Sequence, residues 1–293
     1  MYQQIAANKR KSLALILGFV IFITGLSWLF ALYSGRPSIT IAVLIGATVY
    51  AIITYFAAAK LAVALNGAHK IEKRDNPRLY RIIENIAITN GMPMPKVYVM
   101  DDPAPNAFAT GRDPNHALVA ATTGLLNVMD DTELEGVIAH ELGHVKNYDI
   151  RVSMVAFALA AVVGILADIM LRMAWFGGNR NNRDSGSSYL FILAIIAAIL
   201  APIVAILIQM AISRKREYLA DATGALTTRY PEGLASALEK IKIHGSATKR
   251  PNTTTAHLFF ANPLNKREFT TLFSTHPPIE DRIKRLRSMG THI

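Results

Sequence analysis

Four long apolar stretches dominate the pattern of hydrophobic and polar positions along this chain. They cover approximately residues 12–33, 38–59, 152–171 and 187–213. A helix needs about 20 consecutive apolar residues to cross a bilayer, so each stretch is long enough. The first stretch is too long for the core of a cleaved signal peptide, and the second follows it almost at once. We therefore predict four transmembrane helices, arranged as two hairpins.

Outside these stretches the pattern changes to short periodic segments that are typical of a folded soluble domain. The acidic residues at 130–133 are typical of the first turn of a helix. Residues 96–100 and 117–122 are short runs of the β type. Residues 245–276, rich in Thr, Asn, Pro and Lys, predict a long loop. Helices are predicted at 76–89, from 130 onwards, at 213–229, at 231–243 and at about 278–289.

This pattern predicts a mostly helical α+β protein whose soluble domain is built from two sequence segments. We expect membrane hairpins at residues 1–60 and 152–213, and the two parts of the domain at 61–151 and 214–293. Together these parts are long enough for one domain of ordinary size. Because a hairpin of two spans returns the chain to the membrane surface that it left, the two parts can meet in space.

Basic residues beside the apolar stretches predict which side of the membrane the soluble parts occupy. The chain has a net charge of +10, and its clusters include Lys9–Lys11, Lys60 and Arg214–Arg216. Cytoplasmic loops carry an excess of Lys and Arg, so we expect both termini and residues 60–151 in the cytoplasm, against an anionic lipid bilayer. No basic stripe is interleaved with aromatic residues, so nucleic acid is not an expected partner.

The candidate chemistry lies on the helix that starts near residue 130. Residues His140–His144 read His-Glu-Leu-Gly-His, and the two histidines share one helical face because they are four residues apart. Both imidazoles can therefore reach one metal ion, and Glu141 can act as general base beside metal-bound water. The alternative is an ordinary helix with two solvated histidines. The chain has no cysteine, which excludes thiolate ligands and a cysteine nucleophile.

A zinc site of this kind needs a third protein ligand. Some zinc proteases supply a third histidine shortly after the motif, but this chain has Ile150 at that position. The better candidate is Glu217, which shares a helical face with Asp221. The first could bind the metal, and the second could accept a hydrogen bond from a ligand histidine. The alternative for Glu217 is an exposed acid paired with its basic neighbours.

Several motifs together resemble the HtpX membrane proteases, which belong to one zinc-peptidase family with the CaaX-processing prenyl proteases. These motifs are His140–His144, Glu217 with Asp221, Asn106–Gly111 and Thr275–Pro278. The resemblance extends over nearly the whole chain, including the placement of the four spans around the motifs. The first motif alone is shared by many metallopeptidases, whereas the combination is specific.

The resemblance implies a zincin-like (gluzincin) catalytic domain with one zinc ion per chain. It implies that His140, His144 and Glu217 bind the metal and that Glu141 is the catalytic acid and base. The implied activity is that of a zinc metalloendopeptidase. Its expected substrates are membrane or misfolded polypeptides, cleaved on the cytoplasmic side of the plasma (inner) membrane during stress and quality control.

Four further features of the sequence have candidate roles. His276 is followed by two prolines, so it is either a rigid loop residue or a donor that stabilises the oxyanion of peptide hydrolysis. Asn106 indicates a turn, which the resemblance puts near the cleft. Asp168 is a candidate because charges within spans are costly; near the outer end, it can also snorkel or face another helix. We expect residues 117–121 to form an exposed edge strand that pairs with substrate.

Two other classes of protein fit parts of the pattern. A membrane transporter or channel would use the histidines as an ion site, but the spans carry hardly any of the charge that a pathway needs. A chaperone-like membrane protein would use zinc only for structure, yet such a site needs no general base like Glu141. Peptide hydrolysis is therefore the function that the sequence favours.

Overall fold

The computed structural model describes residues 2–34, 37–176, 214–245, 247–250, 255–261, 263 and 277–290. The protein is α+β and mostly helical, as predicted. Its strands are β1 (Ala68–Lys70), β2 (Lys96–Met100), β3 (Ala107–Gly111) and β4 (Ala117–Thr122). Its described helices are α1 (Tyr2–Ser34), α2 (Ser38–Leu65), α3 (Pro77–Thr89), α4 (Thr123–Val128), α5 (Asp131–Lys146), α6 (Asp149–Phe176), α7 (Arg214–Thr228), α8 (Pro231–His244) and α9 (Ile279–Gly290).

The strands form one mixed sheet in the order β1-β2-β4-β3. β1 pairs antiparallel with β2, β2 parallel with β4, and β3 antiparallel with β4. The predicted strands at 96–100 and 117–122 are confirmed. The prediction of an exposed edge at 117–121 is wrong, because β4 lies between β2 and β3 and all of its residues are buried. β3, which follows the turn indicated at Asn106, was not predicted as a strand and lies at an edge of the sheet.

The predicted helix starts near residues 76 and 130 are confirmed by their capping hydrogen bonds. The Asn76 side chain accepts a hydrogen bond from the Leu79 N–H. Asp130 and Glu133 form a capping box, in which each side chain accepts a hydrogen bond from the other's backbone N–H. Such caps satisfy amides that have no partner in the first turn of a helix. The start of α5 is therefore defined by its local sequence.

Helix α5 lies at the centre of the soluble core. It contacts α3, α7, α8 and β3, and Val137, Ile138 and Leu142 are fully buried. Of its 16 residues, 11 are buried, which means that neighbouring elements cover it on nearly all sides. Burying a polar group costs free energy unless the group has a partner. The polar residues of the metal motif must therefore be paired within the protein.

Two described helical stretches are long and apolar enough to cross a membrane. They are Thr40–Leu65 in α2 and Asp149–Leu166 in α6, and they overlap the second and third predicted spans. The first predicted span lies within α1, which is not one of these two candidates, and the fourth lies outside the described residues. In α2, only 17% of the 18-residue apolar stretch that is long enough to span a membrane is buried. Ile41, Ile45 and Phe56 are among the exposed side chains of this helix. Such apolar surface suits contact with lipid.

The described residues divide into two compact units. The first is formed by described residues within the ranges 1–10, 58–154 and 212–293. The second is formed by described residues within 11–57 and 155–211. The sheet and the metal motif belong to the first unit. Within the second, Ile23, Ala47 and Val162 pack as one apolar cluster.

Candidate metal centre

The metal motif lies where α5 and α7 approach each other closely. A side-chain carbon at Gly224 of α7 would lie only 3.1 Å from the backbone nitrogen of His140, so glycine permits this approach. Glu217 in the first turn of α7 is thereby brought beside the motif. His140 is 1% and Glu217 is 2% exposed. The alternatives of solvated histidines and of an exposed Glu217 therefore do not hold.

Three potential ligand side chains converge at this point. Nε2 of His140 and Nε2 of His144 are 3.2 Å apart. Glu217 Oε1 lies 3.5 Å from His144 Nε2, and Glu217 Oε2 lies 3.8 Å from His140 Nε2. Ligand atoms about 2.0–2.1 Å from a tetrahedral zinc ion are about 3.3 Å from one another, so the separations fit such an ion. Within the described part of the chain, no other His, Asp or Glu group has this geometry.

The Nδ1 nitrogen of His140, which faces away from the shared site, contacts the Asp221 carboxylate, and this carboxylate is paired with Arg282. His140 Nδ1 lies 2.9 Å from Asp221 Oδ1, as predicted for Asp221. Arg282 donates to both oxygens of Asp221, at 2.9 Å from Nε and 2.7 Å from Nη2. Burial acts to raise the pKa of Asp221, but Arg282 and His140 lower it below its ordinary value. A carboxylate at Nδ1 fixes the tautomer and leaves Nε2 for a metal ion.

The Nδ1 nitrogen of His144 likewise contacts a buried carboxylate, that of Asp149. His144 Nδ1 lies 3.0 Å from Oδ2 of Asp149, the first residue of α6. Asp149 Oδ1 accepts a hydrogen bond of 2.8 Å from the amide of Asn8 and lies 3.7 Å from Arg216 Nη1. Both histidines therefore have a buried carboxylate at Nδ1 and a shared site at Nε2.

The two histidines differ in pKa. Burial lowers the pKa of His140 to about 4, so its ring is neutral. Burial acts in the same direction on His144, but the hydrogen bond to Asp149 and the charge of Glu217 raise its pKa to about 9. A ligand histidine must be neutral. Metal binding near neutral pH would therefore release a proton from His144.

Glu141 lies beside this group and contacts the edge strand. Its Oε2 accepts a hydrogen bond of 2.8 Å from the Ala109 N–H of β3. Burial raises the pKa of Glu141 to about 7. Glu141 lines a small cavity together with both histidines and Glu217. A carboxyl group with a pKa near neutrality can accept and return a proton at physiological pH.

A described segment of the predicted loop lies along the outer edge of β3. Phe260 N–H donates to Ala107 O at 2.8 Å, and Phe259 pairs antiparallel with the next residue of β3. The Asn106 side chain donates to Ala261 O at 2.8 Å and accepts from Ala261 N–H at 3.1 Å. Asn106 thus anchors the segment that forms one wall of the cavity.

The structure brings together four of the predicted site residues: His140, Glu141, His144 and Glu217. The fifth, His276, lies outside the described residues. Asp168 is exposed and pairs with Arg172 of the next helical turn, at 2.7 Å.

Three residues of the centre were missed by sequence reasoning. Asp149 could have been noticed in the sequence, because it is an acid that closely follows the motif helix. Arg282 had no such signal, because α9 is otherwise a charged helix. Asn8 had none either, because it lies in a basic segment before an apolar stretch.

The fold and this group of side chains define a metallopeptidase. The model for peptidase family M48 matches residues 73–290, and the chain belongs to this family. It is 52% identical to the protease HtpX homolog of Tropheryma whipplei (strain Twist), over 99% of both chains. It is 45% identical to that of Lactobacillus helveticus (strain DPC 4571), over 99% of this chain and 100% of the relative.

The fold is also similar to a solved structure. The crystal structure of S. mikatae Ste24p matches with a TM-score of 0.52 at 21% identity, covering 98% of this chain and 66% of the other. The resemblance read from the motifs is therefore confirmed at the level of family. The protein is a membrane metalloprotease that acts on polypeptides. This assignment takes the place of the transporter and chaperone alternatives.

Proposed function

We propose that this protein is a zinc-dependent endopeptidase that cleaves membrane or misfolded proteins at the cytoplasmic face of the plasma (inner) membrane, in quality control. One observation carries the proposal. The ligand atoms of His140, His144 and Glu217 lie within 4.8 Å of one another, directly beside the buried acid Glu141. The relatives that bear the name of the protease HtpX support the same assignment.

The donor set favours zinc as the metal. Two imidazoles and one carboxylate are a ligand set of catalytic zinc sites, which leave one position for water. His140, His144 and Glu217 would hold one ion per chain. When bound, zinc polarises the scissile carbonyl and lowers the pKa of a water molecule.

The remaining chemistry belongs to the side chains around the ligands. Glu141 accepts the proton of the attacking water and delivers it to the leaving amine. The Ala109 N–H holds its carboxylate beside the ligands. Asp221 and Asp149 orient the ligand rings through Nδ1. His276 stays a candidate for oxyanion stabilisation or for a rigid loop.

The proposed architecture has four spans in two hairpins, with both catalytic segments, 61–151 and 214–293, on the cytoplasmic side. The apolar helices α2 and α6 and the basic clusters beside the apolar stretches support it. The catalytic residues would then act on polypeptides that reach the membrane surface.

Loss of a metal ligand should weaken zinc binding strongly. We expect Glu217→Gln and His144→Ala to raise the zinc Kd at least about 100-fold, because even loss of an outer partner costs 10–100-fold. Chelator competition on the purified full chain measures the Kd. His69→Ala, which changes an exposed histidine, is the control and should leave it unchanged. Wild-type affinity in both ligand variants would refute the proposed ligation.

The orientation can be tested because the natural chain has no cysteine. We expect a cysteine at Asn85 in α3 to react with a membrane-impermeant maleimide only in inverted vesicles. A cysteine at Ser38, between the first two predicted spans, should react only in intact cells. The opposite pattern, or labelling of both positions from one side, would contradict the proposed topology.

A further inference from the structure

We propose that Asn8 is a positioning residue of the metal centre, which holds Asp149 so that Asp149 orients the ligand ring of His144. This inference rests on the proposed ligation by His144. It assigns a role in the centre to the segment before the first apolar stretch, which lies outside the region matched by the family, residues 73–290.

The amide of Asn8 makes two hydrogen bonds to the connection between α5 and α6. Its Nδ2 donates to the backbone oxygen of Asn147 at 2.7 Å and to Oδ1 of Asp149 at 2.8 Å. An amide nitrogen carries two hydrogens, so these two acceptors use both. Asn8 is 3% exposed, which means that water does not compete for these bonds.

The connection that Asn8 bridges is a strained turn. Asn147 is the C-cap residue of α5, and Asp149 begins α6. The residue between them, Tyr148, has a φ of 62°, a left-handed conformation that is unfavourable for a residue with a side chain. Such a conformation persists only where surrounding contacts determine it. By binding the residues on both sides, Asn8 supplies two of these contacts.

The adjacent residue reinforces the same turn. The Lys9 ammonium lies 5.0 Å from the centroid of the Tyr148 ring, and the Arg151 guanidinium lies 4.9 Å from it. Both distances are within the range of cation–π contacts. Asn8 and Lys9 together therefore contact all three residues of the α5–α6 connection, 147–149.

The effect reaches the metal through one carboxylate. Asp149 uses Oδ2 for His144 Nδ1, at 3.0 Å, and Oδ1 for Asn8. Arg216 Nη1 is 3.7 Å from Oδ1, which is longer than a hydrogen bond. Without the Asn8 amide, Oδ1 loses its short donor, and the carboxylate can turn away from His144. The His144 imidazole then loses the partner that orients it, and zinc affinity falls.

Zinc affinity of the full-length protein in detergent provides the test, with chelator competition as the readout. We expect Asn8→Ala to raise the zinc Kd about 10-fold, the lower end of the range for outer partners. The Co²⁺ absorption spectrum should change as well, because it reports ligand geometry. Asn8→Asp, which keeps the size but removes the donor, should have at least the same effect. Asn85→Ala, which deletes an exposed asparagine of α3, is the matched control and should change neither.

A double-mutant cycle separates positioning from simple stabilisation. If Asn8 acts through Asp149, Asn8→Ala should add nothing to the zinc Kd of Asp149→Ala. Wild-type zinc Kd and Co²⁺ spectra in both Asn8 variants, or fully additive effects in the cycle, would overturn the inference even if thermal stability falls. A wild-type zinc Kd in His144→Ala would instead refute the ligation on which the inference rests.

Discussion

Replacing Glu141 with Gln should reduce peptide cleavage by about 10²–10⁴-fold, the usual contribution of a positioned general base. The substitution removes the proton acceptor but keeps an oxygen that can accept the hydrogen bond from the Ala109 N–H. It does not touch the proposed ligand atoms of His140, His144 and Glu217. We therefore expect the variant to fold and to retain its zinc while losing activity.

Cleavage of an unfolded protein by the purified enzyme measures this effect, and elemental analysis measures the zinc content. Glu135→Gln is a matched control, because Glu135 lies on the same helix but does not line the cavity. Its activity should stay close to that of the wild type. Cleavage by Glu141→Gln at the wild-type rate, or cleavage that survives a strong chelator, would be incompatible with the proposed mechanism.

The second large effect is expected for Arg282→Ala, which breaks a buried ion pair. Arg282 is 1% and Asp221 2% exposed, so the substitution leaves the Asp221 carboxylate buried without its bidentate partner. Removing one member of a buried pair costs about 3–5 kcal/mol. We expect the free energy of unfolding to fall by about this amount. Zinc affinity should fall too, because Asp221 orients His140.

Thermal or denaturant unfolding in detergent measures the stability, and chelator competition measures the zinc Kd. Arg287→Ala provides a control on the same helix, since Arg287 pairs with Glu232 and Glu239 at the surface. Exposed pairs contribute little, so this variant should unfold close to the wild type and bind zinc normally. Equal destabilisation by the two substitutions would show that the Arg282–Asp221 pair has no special role.

The sheet shows where reading the sequence fails. The run at 117–122 was correctly predicted as a strand, but its position in the sheet was not. Its continuous apolar character is typical of a strand covered on both faces, and β4 is indeed central. β3 reads Ala-Phe-Ala-Thr-Gly, and alanine and glycine are weak strand formers. It is a strand because β4 offers it hydrogen bonds and α5 packs against it.

The positions of the metal motif, by contrast, follow from local rules. The capping box at Asp130 and Glu133 starts α5, and the helical period then puts His140 and His144 on one face. The spacing of Glu217 and Asp221 follows from the same period. Each of these facts depends on residues within a few positions of one another, so a single sequence is enough to predict them.

The sequence by itself predicted the motif helix with its paired histidines and the adjacent acid, because helical geometry links residues that are close along the chain. It offered Glu217 as the third ligand only from its spacing to Asp221 and from the resemblance to the family. Only the tertiary structure decided which side chains hold the ligands in place. Asn8 and Asp149 are 141 positions apart, and Arg282 and Asp221 are 61 positions apart. No local period connects such residues. They meet because the start of α1 lies against the α5–α6 connection and because α9 packs against α7, which itself packs against α5.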